Sequence, residues 1–361
     1  MKRFFAMLIL IGLLLSGCTG WLDGHYHNVS RYEDEGSQQV AEVLKVANFE
    51  ELCSALREMT QTGTESGLIS VAEYEQSRVH SDTRLAVERV LEQDPIAAYA
   101  VDKIDCEVGT SGGQPAIAVT ISYLHDAAEI RKIRQLKDLE AAKTVIHAEL
   151  DKCASGVVMY LKEYQEADFA QIVEDYADVC PHKVIETPQV TVNVFPEEGE
   201  ERVVELKFVY QSSRDALRNM QSQVKTLFNA AANYVSVTED SREKYSQMYS
   251  FLMERFQNYR IETSITPAYS LLLHRVGDAK AFAVVYAAMC REAGMECYVV
   301  TGTRSGEPWF WNLVQIEESW FHVDLLRCNE QGFFQEYDDS QMTGYVWDYS
   351  AYPTESTQDL P

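Results

Sequence analysis

Two eight-residue segments that lie 87 positions apart constrain this chain more than any other feature. Ala116 to Tyr123 (AIAVTISY) matches Val203 to Tyr210 (VVELKFVY), and each follows another alternating stretch across a glycine-containing turn, Ala98 to Val108 and Thr187 to Phe195. Alternation with a period of two puts every second side chain on one face, so each pair of stretches predicts a β-hairpin. After each hairpin the apolar residues recur at steps of three and four. These are Ile130, Ile133, Leu136, Val145 and Ile146 within Asp126 to Lys152, then Leu217, Met220, Val224, Phe228 and Ala231 within Asp215 to Val235. That spacing predicts a helix with one apolar face, packed on the hairpin before it. A short helix precedes each unit, at Asn48 to Leu52 and at Asp168 to Ile172, here 120 positions apart, and the 33-residue excess fits an inserted helix around Val71 to Leu91. The expectation is a strand-strand-helix unit present twice within residues 39–239. The alternative is that two unrelated hairpins share a generic pattern.

The chain has 361 residues, enough for two or three domains with full cores, and 46% hydrophobic against 24% charged residues describes a globular protein. Its 31 Lys and Arg face 56 Asp and Glu, a formal charge of −25. A surface of that sign repels phosphate backbones, so nucleic acid is excluded as a partner. Isolated histidines at 125, 147 and 182 assemble no nucleophile, base and oxyanion site, and the region before residue 240 reads as scaffold or binding surface.

At the N-terminus, Lys2 and Arg3 precede an apolar run from Phe4 to Leu15, which at 12 residues is too short to span a bilayer and reads as an export signal. Leu15-Ser16-Gly17-Cys18 resembles a bacterial lipobox, in which the cysteine is diacylated and becomes the mature N-terminus. The resemblance implies that residues 1–17 are a lipoprotein signal peptide, that Cys18 is the lipidation site, and that the body is extracytoplasmic and lipid-anchored to the bacterial cell membrane. An ordinary signal peptide with an incidental cysteine is the alternative. Loss of residues 1–17 leaves 29 basic against 56 acidic residues, or −27. Residues 18–38, with Gly20, Gly24, Gly36 and Glu33-Asp34-Glu35, read as a tether. His25 and His27 flank Tyr26 there and are too few to hold a metal. The eight cysteines show no zinc-type spacing, so no metal and no cofactor is expected. Disulfides are permitted but cannot be paired from sequence, and with Cys18 acylated at least one of the other seven has no intrachain partner.

In the last third, Asp240 to Tyr259 carries Tyr245, Met248, Leu252 and Phe256 at helical steps. An apolar helix from Ala279 to Ala293 is halted by Gly294, and three strands follow: Glu296 to Gly302, Trp309 to Ile316 and Ser319 to Leu325. Four segments carry a resemblance here: Gly277-Asp278-Ala279-Lys280-Ala281-Phe282-Ala283, Gly294-Met295-Glu296-Cys297, Trp309-Phe310-Trp311-Asn312 and Trp320-Phe321-His322-Val323-Asp324. They resemble the transglutaminase-like domains related to papain-type cysteine peptidases, whose core shows Gly-x-Cys-x-Gly-Tyr-Ala, Gly-Ile-x-Cys, His-Ala-Trp-Asn and Trp-x-x-Val-Asp in that order. Asp338 to Pro353, with Met342, Tyr345, Trp347, Asp348 and Tyr352, resembles the end of such a domain. The implied fold class is α+β, two strand-strand-helix units followed by a transglutaminase-like, papain-like domain over 240–353 and a tail at 354–361.

The resemblance also implies a Cys, His, Asp triad, and two of its positions are changed. Ala279 stands where the nucleophilic cysteine would be and Trp309 where the histidine would be; only Asp324 matches. A methyl group cannot attack an acyl carbon, and an indole N–H donates a hydrogen bond but cannot accept a proton from a thiol. Members of a triad act as a unit, so the loss of two leaves no acyl transfer of this kind. Asp324, without an imidazole, is left to cap a loop or to accept from Trp309. The expected function is that of a non-catalytic cell-surface lipoprotein, with Trp309, Trp311 and Asn312 as ligand-binding candidates and a peptide, cell-wall or protein ligand. Trp311 and Trp320 are also core candidates. The alternative is an active cysteine hydrolase or transferase with a relocated pair, Cys328 or Cys290 with His322.

Overall fold

Residues 43–235, 240–259 and 266–353 are described in the computed structural model. The signal peptide at 1–17, Cys18, nearly all of the chain before Leu44 and the tail at 354–361 lie outside them. No helix among the described residues is long and apolar enough to cross a membrane.

Three four-stranded sheets follow one another. The first takes β1 (Leu44–Lys45), β2 (Ser66–Ser70), β3 (Val101–Ser111) and β4 (Gln114–Tyr123) in the order β1-β2-β4-β3. Its helices are α1 (Phe49–Thr62), α2 (Val79–Gln93) and α3 (Pro95–Ala100). The second takes β5 (Arg134–Leu136), β6 (Gly156–Leu161), β7 (Gln189–Phe195) and β8 (Arg202–Val209) in the order β5-β6-β8-β7, with helices α4 (Leu139–Leu150) and α5 (Phe169–Val179). In both sheets the first two strands run parallel and the other pairings are antiparallel. Corresponding elements keep a nearly constant offset. Leu44 and Arg134, Phe49 and Leu139, Ser66 and Gly156, and Val79 and Phe169 start elements 90 residues apart, while Val101 and Gln189, and Gln114 and Arg202, start strands 88 apart.

The hairpins are therefore where alternation puts them, but the strand-strand-helix grouping is not the structural unit. Each sheet is built β-α-β-α-β-β, the first with the short α3 added before β3, so α1 corresponds in place to α4 and α2 to α5, and no 33-residue insertion is needed. The helix expected over Asp126 to Lys152 is three elements. Asp126 and Glu129 form a capping box that starts a short helix, Ala127–Ile130; β5 follows, and Asp138 accepts from the Ala141 amide to start α4. An N-cap in mid-segment begins a new helix, which the apolar spacing alone does not register.

The helix expected to pack on the second hairpin does not stay with that sheet. In α6 (Arg214–Tyr234), Val224, Phe228 and Ala231 join one core with Tyr245, Phe251, Phe282 and Trp311. A stripe of apolar residues says that a helix needs a partner, not which one. The C-terminal domain thus begins before residue 240. Its other helices are α7 (Ser241–Met253), α8 (Ala279–Glu292) and α9 (Leu325–Gln331), around a sheet of β11 (Cys297–Arg304), β12 (Glu307–Ile316), β13 (Ser319–Val323) and β14 (Tyr345–Trp347) in the order β13-β12-β11-β14. A parallel pair, β9 (Gln257–Asn258) with β10 (Val276–Gly277), ends α7 earlier than the apolar spacing suggests and leads into α8. Eleven of the 14 residues of α8 are buried, which makes it the central helix of this domain.

The parts are joined by apolar contacts. On α3, Ile96, Tyr99 and Ala100 cluster with Ile130, Ile133 and Val203 against the face of the second sheet opposite its own helices. Ile185, just before β7, is buried in the C-terminal core, and Thr266 donates to its carbonyl over 3.2 Å.

Candidate functional site

The site is assembled from the start of α8, the start of β12 and the end of β13. Asp278 caps α8, its carboxylate accepting from the Ala281 amide at 3.0 Å, and Ala279 is the first helical residue. The positive end of the helix macrodipole lies there. In place of a thiol, that end carries a methyl group that is 9% exposed. The next residue, Lys280, pairs with Asp178 at the end of α5 over 2.6 Å and lies 5.6 Å from the Phe310 ring. Asn312 donates to the carbonyl of Ala283 at 2.9 Å, which holds the first turns of α8 against β12.

Asp324 ends β13 and caps α9. One carboxylate oxygen, Oδ1, accepts from the amides of Leu326 and Arg327, both at 3.1 Å. The other, Oδ2, accepts from Trp309 Nε1 at 2.8 Å, from the Tyr345 hydroxyl at 2.6 Å and from Arg304 at 3.5 Å. The side chain is 1% exposed, and with five donors its acceptor capacity is filled inside the protein. Burial, followed by the Asp324 carboxylate, pushes the Tyr345 hydroxyl up, which keeps its proton available for this bond. The Arg304 guanidinium lies 5.2 Å from the Trp309 ring. Of the two alternatives for Asp324, a loop cap or an acceptor for Trp309, the second is present, and what the side chain caps is a helix, α9. Tyr345 and Arg304 were missed as its partners.

Trp311 and Asn312, two of the three ligand-binding candidates, are buried. Trp311 is 1% exposed and fully enclosed by Tyr345, Trp347 and His322; Asn312 is 0% exposed and donates to backbone carbonyls on both α8 and β11. Trp311 packs on the Tyr345 and Trp347 side chains of β14, the edge strand of the same sheet. Trp320 is half-buried against the core. Trp309 is half-buried as well, and of the three binding candidates it alone keeps contact with solvent.

The relocated cysteine and histidine pair is not formed. His322 Nδ1 accepts from the Trp311 indole at 2.9 Å, and its Nε2 lies 2.9 Å from Asp339. An indole can only donate, so Nδ1 is bare and Nε2 carries the proton toward Asp339. Burial holds the ring below its ordinary value, against the pull of Asp339 in the other direction. The Cys328 thiol instead exchanges hydrogen bonds with the backbone of Gln335 at 3.3 and 3.4 Å, and burial pushes it up to about 11. Cys290 is enclosed beside Tyr286 and Cys297, and burial raises it well above the ordinary thiol range. Neither sulfur has the electropositive, accessible setting that makes a thiolate.

Residues 229–325 match the family model of the transglutaminase-like superfamily. The chain carries a transglutaminase-like domain. Solved structures with which it shares similarity include a candidate cysteine protease from Cytophaga hutchinsonii, 15% identical over 44% of this chain and 71% of that one, with a TM-score of 0.27. A TGase structure is 10% identical, covering 60% of this chain and 63% of that one, with a TM-score of 0.26. A candidate protease from Parabacteroides distasonis ATCC 8503 is 10% identical, covering 77% of this chain and 40% of that one, with a TM-score of 0.23. No curated protein matches the chain. The transglutaminase-like domain takes in the end of α6, α7, α8, β11, β12 and β13, in line with the α6 side chains that share its core.

Proposed function

We propose that this chain is a non-catalytic lipoprotein of the bacterial cell surface, anchored through Cys18, whose transglutaminase-like domain serves structure and binding rather than acyl transfer. The observation that carries the reading is the bond from the Trp309 indole to Asp324, in the place where a base would have to sit, together with the methyl of Ala279 at the start of α8. Its ligand is a peptide, a cell-wall fragment or another protein, and Trp309 is the side chain of the degenerate triad open to such contact. The sequence features that support export and anchoring are the short apolar run and the Leu15-Ser16-Gly17-Cys18 segment.

The test is turnover. The wild-type chain is assayed for hydrolysis of peptide amides and for amine incorporation into a glutamine peptide, beside a variant combining Ala279→Cys with Trp309→His. Neither activity is expected from the wild type. Wild-type turnover that disappears in Cys328→Ala or His322→Ala would overturn the proposal.

A further inference from the structure

A cleft of about 510 Å³ lies between the two α/β units, within the range of about 300–1,000 Å³ usual for small-ligand sites. One wall is the part of the second sheet that α3 leaves uncovered, with Glu205 and Lys207 on β8; the other brings Tyr99 from the end of α3 and His125 from the loop after β4. Lys132 and Arg134 stand at the rim.

Most of the charges here are already paired. Glu205, 8% exposed, accepts from Asn193 at 2.8 Å and pairs with Lys207 at 3.2 Å. Glu149 pairs with Lys152, and Glu129 lies 3.5 Å from His125. Lys132 and Arg134 form no close ion pair among the described residues, Lys132 acting on Asp126 only at longer range, although the chain carries 56 acidic side chains against 31 basic ones. The Tyr99 ring is 5% exposed and stacks on His125 at 4.2 Å and 5°. Its hydroxyl shows no hydrogen-bond partner among the described residues, and Tyr99 lines the cleft together with Glu205. Burial first, then the Glu205 and Glu129 charges, push that hydroxyl up to about 12, so it stays neutral and its oxygen lone pairs can accept from a cationic donor.

The cleft thus offers two cations at the rim outside any ion pair and, deeper in, the Glu205 carboxylate, whose Oε2 holds Asn193 and Lys207 while Oε1 shows no partner among the described residues, beside the Tyr99 hydroxyl. A ligand with a net negative charge would be opposed by the field of a chain at −25, whereas a ligand with no net charge would not. We propose that this cleft binds a small zwitterion, an amino acid or short peptide, with its carboxylate on Lys132 and Arg134 and its ammonium at Glu205 and the Tyr99 hydroxyl. The site is separate from Ala279 and Trp309 and does not depend on what the transglutaminase-like domain does.

The experiment is a calorimetric titration of the full chain with three probes: alanyl-alanine, N-acetyl-alanyl-alanine without the ammonium, and alanyl-alanine amide without the free carboxylate. Alanyl-alanine is expected to saturate, and each blocked probe to bind at least about tenfold more weakly, the loss of one charge-assisted contact. Arg134→Ala and Lys132→Ala should each weaken alanyl-alanine severalfold at unchanged Tm, because neither side chain holds a close ion pair. Glu205→Gln should weaken alanyl-alanine while leaving the N-acetyl probe unaffected. Absence of saturation up to about 10 mM would overturn the proposal. So would equal affinity for all three probes, or a double variant Lys132→Ala/Arg134→Ala that binds like the wild type.

Discussion

The indole nitrogen of Trp309 donates to Asp324 Oδ2 across 2.8 Å, joining the start of β12 to the end of β13 through a charge-assisted hydrogen bond. An imidazole in this place would be oriented by the same carboxylate and would have a second nitrogen to take a proton. The indole has none, so the carboxylate fixes a ring here while it also caps α9 and accepts from Tyr345 and Arg304.

Asp324 should therefore be a stability residue. Asp324→Ala leaves the Trp309 indole and the buried Tyr345 hydroxyl without acceptors and removes the cap of α9. The expected loss is about 3–5 kcal/mol in urea unfolding. Asp324→Asn keeps one acceptor oxygen and should cost clearly less. Equal and small losses for both variants would mean that the five bonds contribute little.

The pH dependence of stability should carry the signature of His322. Its folded-state value is depressed by burial, so the unfolded chain binds the proton more readily. Stability is then fully present above the unfolded histidine value, about 6.5, and is lost as pH falls below it. His147 and His182 are depressed by burial too and add to the same slope. Tm measured from pH 7.5 down to 5 should fall, and His322→Asn, which presents an oxygen to Trp311 but does not titrate, should flatten part of that fall. An unchanged slope in the variant would show that the ring is not held neutral.

Gly302 on β11 should tolerate no side chain. A Cβ there would collide with the carbonyl of Val346 on β14 and come within 2.8 Å of the Trp311 ring. Neither neighbour yields easily, since β14 is paired to β11 and Trp311 is enclosed. Gly302→Ala is expected to cost about 1–3 kcal/mol, by the same unfolding measurement, through overpacking. A variant as stable as the wild type would place β14 more loosely than described.

The ion pair between Lys280 and Asp178 should matter little for stability. Both side chains are about one-third exposed, and a pair of that kind contributes about 0–1 kcal/mol. Asp178→Asn should stay within that range at low salt and approach zero in 0.5 M NaCl. A loss several times larger would make this contact a main joint between the α/β units and α8.

What the sequence carried and what it did not divide along physical lines. The hairpin strands are legible to within two or three residues, because a period of two with one buried face has few other outcomes, as in Ala116 to Tyr123 within β4. The spacing from Trp309 to Asp324 is legible too, because both residues sit on a two-strand hairpin closed by Glu317 and Glu318. The partners that complete the site are not. Tyr345 reaches Asp324 from 21 residues away, and Asp339 reaches His322 from 17, the one from the three-residue strand β14 and the other from a single 3-10 turn, both too short to show a period. Nor does any local signal assign the apolar face of α6 to the C-terminal core rather than to the sheet before it. The sequence leaves Trp311 both a binding and a core candidate; its burial and that of Asn312 depend on β14 and on α8, elements remote in sequence.

The most direct measurement of whether the chain holds a catalytic thiol is site-resolved alkylation of the seven cysteines after Cys18 by iodoacetamide at pH 7, read by peptide mass spectrometry. The expected result is that every one of them reacts more slowly than a free cysteine, with Cys290 and Cys328 among the slowest, since burial raises both. One cysteine that labels faster than a free thiol in the folded chain, and loses that advantage in His322→Ala, would contradict it.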